Sequence, residues 1–426
     1  MRRRRITVTM LLGVALAATA CGSPQSGSSS SSSQSGTITI GLLRPVTGTV
    51  AASGKDMDDG WNLYWSQHGS TVAGKKVVTI AQDDTGNPSV GLNKAQQLVA
   101  NDHVDMIVGP LLANVGLAVA DAMNRAKIPT VMPIVAADDL TQRKRYPFVL
   151  RVAGWTSSQT TQPLGAYAVK QGYKKAVTIC TDYAFGYESC GGFVNTFTDG
   201  GGTVVKQLWN PLGTQDFSSY LTQIKQIHPD VVFDEQVGAD SVRFVQAWSD
   251  FGLKSTVPLL ANETTLDASV LRNMNDTALG LTSAGHFAEG RPSSDTQTFV
   301  SDFLAKYGKL PSYYAAATYT AARAIAAAIE KVNGNLTDKA TFVTALRGVS
   351  LPDTPFGPET VDQYGNPIFN VYIRKVEKGP HGLWNVPVMT EPKITQFWTY
   401  DSAEFLKHPV YSKAYQGNGV WPNPMS

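Results

Sequence analysis

Catalysis needs a nucleophile, a base or a metal-ligand set at workable spacing, and this chain offers few. Its six histidines are His68, His103, His228, His286, His381 and His408. None forms an HExxH motif or another close pair, so their spacing gives no zinc site. No G-x-S-x-G elbow is present to expose a serine. The run GTVAASGKD approaches a phosphate loop. However, the step from Gly48 to Gly54 is one residue too long, and Asp56 stands where a Ser or Thr would meet magnesium. A hydrolase, with a triad assembled only in space, is the enzymatic alternative. The reading adopted is a non-enzyme that needs no cofactor and no metal. Two of the three cysteines are Cys180, at the end of an apparent strand, and Cys190, in the helix that follows. They form either a disulfide or two buried thiols. There is no CxxC redox pair.

The 426 residues are 42% hydrophobic and 16% charged, enough for two or three domains with substantial cores. The formal charge is +2. Without Arg2, Arg3, Arg4 and Arg5 it becomes −2, with 32 basic against 34 acidic residues. No basic excess remains to neutralise a phosphate backbone, which argues against nucleic-acid binding. Those arginines open the run MRRRRITVTMLLGVALAATA, a basic start followed by a short apolar stretch and small residues. This is a secretory signal, too short to span a bilayer. The next residues, ATACG around Cys21, resemble the lipobox of bacterial lipoproteins, in which the cysteine is acylated. The alternative is an ordinary signal cut nearby, leaving a free thiol. Residues 21–36 are nearly pure Ser, Gly and Gln, the composition of a flexible tether. The expected location is the extracytoplasmic face of the cell membrane, held by a lipid anchor alone.

From Thr37 onward strands and helices alternate. TITIGLL, KVVTIAQ, Met106–Gly109 and Thr130–Pro133 read as strands, separated by helices over 54–67, Gly91–Asn101 and Val115–Ala126. The pattern restarts with a short extended piece at Phe148–Val152. Strands follow at Lys175–Cys180, Thr203–Leu208, Asp230–Phe233, Pro258–Ala261 and Gly280–Gly285. Helices lie between them, and three more come after. One late strand is expected at Asn366–Lys375. Such alternation implies parallel sheets covered by helices. Ligands of open α/β sheets bind at the carboxyl ends of the strands, so two such units facing each other make a cleft. Arg44 sits just past the first strand, where it could grip a carboxylate in bidentate fashion. Its alternative is an ion pair, for example with Glu263 or Asp182.

With these elements in place, the chain resembles the solute-binding proteins of ABC importers in the branched-chain amino-acid group. The resemblance runs from Thr37 to about Lys393. It is carried by IGLLRPVTGTVAASG, QDDTGNP, VDMIVGPL, IPTVMPIVAADDLT, YPFVLRV, DYAFGYE and DFSSYLTQIKQIHPDVVF in that order. It implies the type I periplasmic-binding fold: two Rossmann-like lobes with parallel sheets flanked by helices, joined by a three-crossover hinge. The implied N-terminal lobe is 37–153 plus 287–352, and the C-terminal lobe is 154–286 plus 353–395. Residues 1–20 are the signal peptide and 396–426 an aromatic tail packed on the second lobe. The implied function is capture of a small organic solute and delivery to ABC permease subunits, by a monomer. A ligand-sensing receptor component of the same fold is the alternative.

Amino-acid-binding members hold the ligand carboxylate with hydroxyls and backbone N–H groups, and its ammonium with an acidic side chain. The hydroxyl positions fall here on Ala113, beside Asn114, and on Ala136, between Val135 and Ala137. Both hydroxyls are therefore missing. Aromatic positions fall on Phe185, near Tyr183, and on Tyr314, while a tyrosine position falls on Val237. The acidic position falls on Glu263, whose alternative role is to cap a helix start. Ser53 and Arg44 complete the candidate set. Losing two hydroxyls while gaining apolar wall shifts the expected ligand from small polar amino acids towards an aromatic or aliphatic carboxylate or an amide. Asp83 and Asp84 are expected to organise their loop rather than bind solute, and His286 to pack at a crossover.

Overall fold

The computed structural model describes residues 36–417. The signal, Cys21 and nearly all of the Ser-rich run lie outside the described residues, as do residues 418–426. The first sheet contains β1 (Thr37–Arg44), β2 (Thr71–Val72), β3 (Lys75–Asp83), β4 (Met106–Val108), β5 (Thr130–Val131) and β6 (Val149–Leu150). Its order is β2-β3-β1-β4-β5-β6. All pairings are parallel except the β2–β3 edge. The second sheet contains β7 (Lys175–Thr181), β8 (Thr203–Asn210), β9 (Val231–Glu235), β10 (Leu259–Asn262), β11 (Thr282–Gly285), β12 (Thr360–Val361), β13 (Pro367–Gly379) and β14 (Gly382–Ile394). Its order is β12-β13-β11-β10-β9-β7-β8, with β14 pairing β13.

The helices connecting the first sheet are α1 (Ala51–His68), α2 (Pro88–Ala100) and α3 (Ala113–Arg125). Those of the second are α4 (Thr161–Lys170), α5 (Ala184–Asp199), α6 (Ser218–Ile227), α7 (Ala239–Asp250) and α8 (Ala268–Leu271). The chain then returns through α9 (Ser294–Tyr307), α10 (Tyr313–Lys331) and α11 (Lys339–Arg347), and ends its described part after α12 (Ser402–Phe405). It passes between the two sheets three times: after Leu150, after Gly285 and after Arg347. The alanine-rich α10 lies against α1, and both cover one face of the first sheet around Trp61, Ile325 and Ile329. Leu221 and Ile224 of α6, Phe217 just before it, and Phe244 and Trp248 of α7 cover the second sheet. A third cluster draws residues from both sheets and their helices, among them Ile107 and Val119 of the first and Phe193 and Phe233 of the second.

The alternation read from sequence is present, with boundaries shifted by a few residues. The short elements β2, β12, α8 and α12 were missed, and so was β14, which makes the late strand half of a long antiparallel hairpin, β13–β14. Cys180 and Cys190 are joined as a disulfide, tying the end of β7 to α5 with their Cα atoms 6.4 Å apart. The tail lies on α5. Lys413 Nζ is 2.7 Å from Asp182, Gln416 donates to the Tyr187 carbonyl, and Tyr400 donates to Asp199. Among the described residues, no helix is long and apolar enough to cross a membrane.

Candidate functional site

The cleft is built by loops at the carboxyl ends of parallel strands, as open α/β sheets require. From the first lobe come Leu111, Leu112 and Ala113 after β4, and Ile134 and Ala136 after β5, with Tyr313 and Tyr314 at the start of α10. From the second come Tyr183 and Phe185 after β7, Val237 after β9 and Thr264 after β10, while Trp155 comes from the first passage between sheets. Together they enclose a cavity of about 20 Å³. The VGPL turn begins at Gly109, where φ is +103° and a side chain would strike the Leu43 carbonyl. Only glycine lets the chain turn there and aim the start of α3 at the cavity.

Four helices, α3, α5, α7 and α10, begin at or beside this wall. At α3 and α5 the partial positive charge and the first N–H groups favour an anion, whereas at α7 and α10 the first N–H groups are already given to the Thr49 carbonyl, Asp267 and Ser312. The first turns of α3 and α5 hold no acidic residue. No Asp, Glu, Lys, Arg or His is among the residues lining the cavity. Aromatic rings supply much of the remaining wall. Tyr313 and Tyr314 have centroids 3.9 Å apart, Tyr183 and Phe185 are 6.1 Å apart, and Trp155 meets Tyr313 edge-on at 4.7 Å.

Of the candidates named from sequence, Ala113, Ala136, Tyr183, Phe185, Val237 and Tyr314 meet at this wall. The others do not reach it. Arg44 holds Asp58 of α1 through two bonds, Nε–Oδ1 at 2.7 Å and Nη2–Oδ2 at 3.1 Å. Its fork is committed, and to neither of the partners considered from sequence. Asn114 turns its side chain back onto the Val115 N–H. Val135 packs against Gly116 of α3. The Ala137 carbonyl accepts from buried Arg151 at 2.6 Å. Ser53 lies buried with its Oγ 3.0 Å from Ser269 Oγ, linking α1 to α8.

Glu263 is the most informative correction. Its side chain is fully buried behind the wall. Oε1 receives Arg374 Nη1 at 3.1 Å and the Phe287 N–H at 3.0 Å. Oε2 lies 2.6 Å from His286 Nδ1 and accepts the His286 N–H. Burial pushes this carboxyl up, but the charges and hydrogen bonds of His286 and Arg374 hold it below the ordinary glutamate range. It is a saturated acceptor, not a free partner for an ammonium. Nearby Asp267 is also engaged, accepting from the Ser269 and Tyr313 N–H groups. Burial pushes its carboxyl up to about 7. Asp83 and Asp84 organise their loop: Asp83 receives Val46, Thr47 and Thr85, and Asp84 receives Gly86.

Contacts across the cleft hold the lobes together. Asp56 of α1 pairs with Arg272 at 2.7 Å. The Thr49 carbonyl accepts the Ala239 N–H at 2.9 Å. Gly238 makes that contact possible, because its φ is +57° and a side chain would hit Thr49. The residues that sequence reasoning missed at the wall include Trp155, Tyr313 and Thr264. Trp155 lies in an irregular segment with no periodic signal; a large aromatic in the run VAGWTSS was the one available hint.

Similarity to known proteins agrees with this geometry. The periplasmic binding protein family model matches residues 37–380. A Leu/Ile/Val-binding protein homolog from Brucella melitensis is 28% identical over 387 residues, covering 89% of this chain and 95% of that one. An ABC-transporter solute-binding protein from Rhodopseudomonas palustris BisB5, solved with 3,4-dihydroxybenzoic acid, superposes with a TM-score of 0.80. It is 31% identical, and the match covers 84% of this chain and 98% of that chain. A second R. palustris solute-binding protein, solved with benzoate, gives a TM-score of 0.80 at 26% identity, covering 84% and 98%. A two-lobed α/β scaffold, a cleft at the strand ends and a family match over most of the chain lead to one conclusion: the chain belongs to the periplasmic binding protein family, whose members bind solutes for ABC transporters and are not enzymes.

Proposed function

We propose that this chain captures an aromatic carboxylate between its lobes and hands it to an ABC permease. The observation that carries this reading is the chemistry of the cavity wall. It combines aromatic rings with helix N-termini and has no charged side chain. A carboxylate can be held by backbone N–H groups and helix dipoles. An ammonium needs an acceptor, and Glu263, at the acidic position of amino-acid binders, is already spent on Arg374 and His286. In this reading Ala113 and Ala136 offer backbone N–H groups to the carboxylate. Tyr183, Phe185, Val237 and Tyr314 enclose the ring. The complexes of the R. palustris relatives with 3,4-dihydroxybenzoic acid and benzoate support the same ligand class.

The lobes in this account are 37–153 plus 287–352 and 154–286 plus 353–395, closing by hinge motion at the three passages. The chain acts as a monomer, and acylated Cys21 with the Ser-rich run tethers it to the outer face of the cell membrane. Isothermal titration calorimetry on the full chain tests the ligand class. Benzoate or 4-hydroxybenzoate should bind at least a hundredfold tighter than leucine. The reverse order removes the proposal.

A further inference from the structure

Trp155 is fully buried, and its ring forms part of the cavity wall. Its Nε1–H has no hydrogen-bond partner in the protein. Buried polar groups are normally paired, because an N–H stripped of water and given no acceptor costs free energy. A phenylalanine would fill similar space without that cost. The indole N–H is also a donor that cannot accept. Here it stands on a wall that already presents the N–H groups at the start of α3 and lacks any anionic side chain.

We infer that Trp155 is a specificity-determining donor: its Nε1–H takes one oxygen of the ligand carboxylate, completing an oxyanion subsite with the N-terminus of α3. This inference rests on the aromatic-carboxylate reading above and adds to it the side chain that distinguishes acid from non-acid. A donor-only group favours an acceptor oxygen and rejects an ammonium at the same spot. Trp155 is placed for a second consequence. It lies in the first passage between sheets, and its ring also packs against His286, at the second passage, with centroids 4.6 Å apart. A ligand oxygen that fixes the indole therefore fixes a side chain wedged between two hinge segments. The edge-on ring of Tyr313 and the tilted ring of His286 occupy its surroundings, which disfavours its use as an open face for a cation.

Calorimetry with the full chain and its Trp155→Phe variant tests this, using benzoate and the neutral amide benzamide as probes. A charge-assisted bond is roughly twice as strong as a neutral one. Benzoate affinity should therefore fall at least tenfold and benzamide affinity less than threefold. Trp65→Phe is the control: that indole N–H is also buried without a partner but does not line the cavity, so benzoate binding should be unchanged. Equal losses for both probes, or an unchanged benzoate affinity in Trp155→Phe, overturn the inference and leave the functional reading intact. A wild-type chain that binds neither benzoate nor its hydroxylated analogues overturns both. If Trp155→Phe does not fold, 15N-tryptophan labelling decides. One of the eight indole N–H resonances should move downfield with benzoate, and the inference falls if none does.

Discussion

Replacing Glu263 by alanine separates a structural carboxylate from a ligand-binding one. The change leaves Arg374, 1% exposed, and His286, also 1% exposed, without their shared anion. Breaking a buried ion pair by removing one partner costs about 3–5 kcal/mol. Unfolding entropy of about 2.1 cal/mol/K per residue gives about 0.8 kcal/mol/K for a folded body of about 380 residues. The variant should therefore melt about 4–6 °C below wild type in differential scanning calorimetry. Adding Arg374→Met to Glu263→Leu should recover part of that loss, because it removes the buried guanidinium that the single change leaves without its carboxylate. At a temperature where both proteins are folded, 4-hydroxybenzoate should bind Glu263→Ala within threefold of wild type. An unchanged melting temperature together with a tenfold or greater loss of binding would refute the argument and return Glu263 to the ligand.

Three further outcomes follow from the same contacts. Arg44→Ala removes a partly exposed pair with Asp58, so it should cost about 1 kcal/mol or less and leave ligand affinity unchanged in calorimetry. Cys190→Ser opens a short covalent loop spanning a sequence separation of 10. Loop-closure entropy puts the loss at about 2.7 kcal/mol, or a melting temperature about 3 °C lower, and wild type under strong reductant should match it. Stability should also fall as pH rises from 5 to 8. Burial pushes Asp138 up to about 6, Asp267 up to about 7 and Glu235 up to about 8. Each folded-state value lies above the unfolded one, so the contribution is fully present below about pH 4 and is lost as pH climbs through 6–8. A melting temperature that rises across that window contradicts these assignments.

The fold was legible because its cause is local. Alternating apolar strands and amphipathic helices announce a parallel sheet, and ordered motifs such as QDDTGNP and VGPL mark the strand-to-helix turns. The strand β14 was not legible, since Pro387 and Pro392 lie within it and proline argues against a central strand. The structure resolves the conflict by making β14 an edge strand, paired with β13. Most of the apolar and aromatic candidates, taken from positions next to turns, meet at the cavity wall. The charged candidates do not. Arg44 and Glu263 were each placed at the cleft mouth, but what a charge does depends on its partner. Asp58 lies one helix away from Arg44, and Arg374 lies on a strand 111 residues beyond Glu263. Spacing along the chain carries no record of such pairings. Trp155 escaped for a related reason: its unpaired N–H is visible only once its neighbours are placed.

The central claim is that the cleft selects an aromatic acid and has no acceptor free for an ammonium. A thermal-shift panel on the full chain, unfolded and refolded to strip bound solute, tests it most directly. Benzoate, 4-hydroxybenzoate and 3,4-dihydroxybenzoate are set against leucine, isoleucine, valine, phenylalanine and benzylamine. A ligand at a hundredfold excess over its Kd stabilises by about 2.7 kcal/mol, which raises the melting temperature by about 3 °C here. The account predicts that shift for at least one of the acids and none for the amino acids or benzylamine. A shift with leucine or phenylalanine and none with the acids would contradict it.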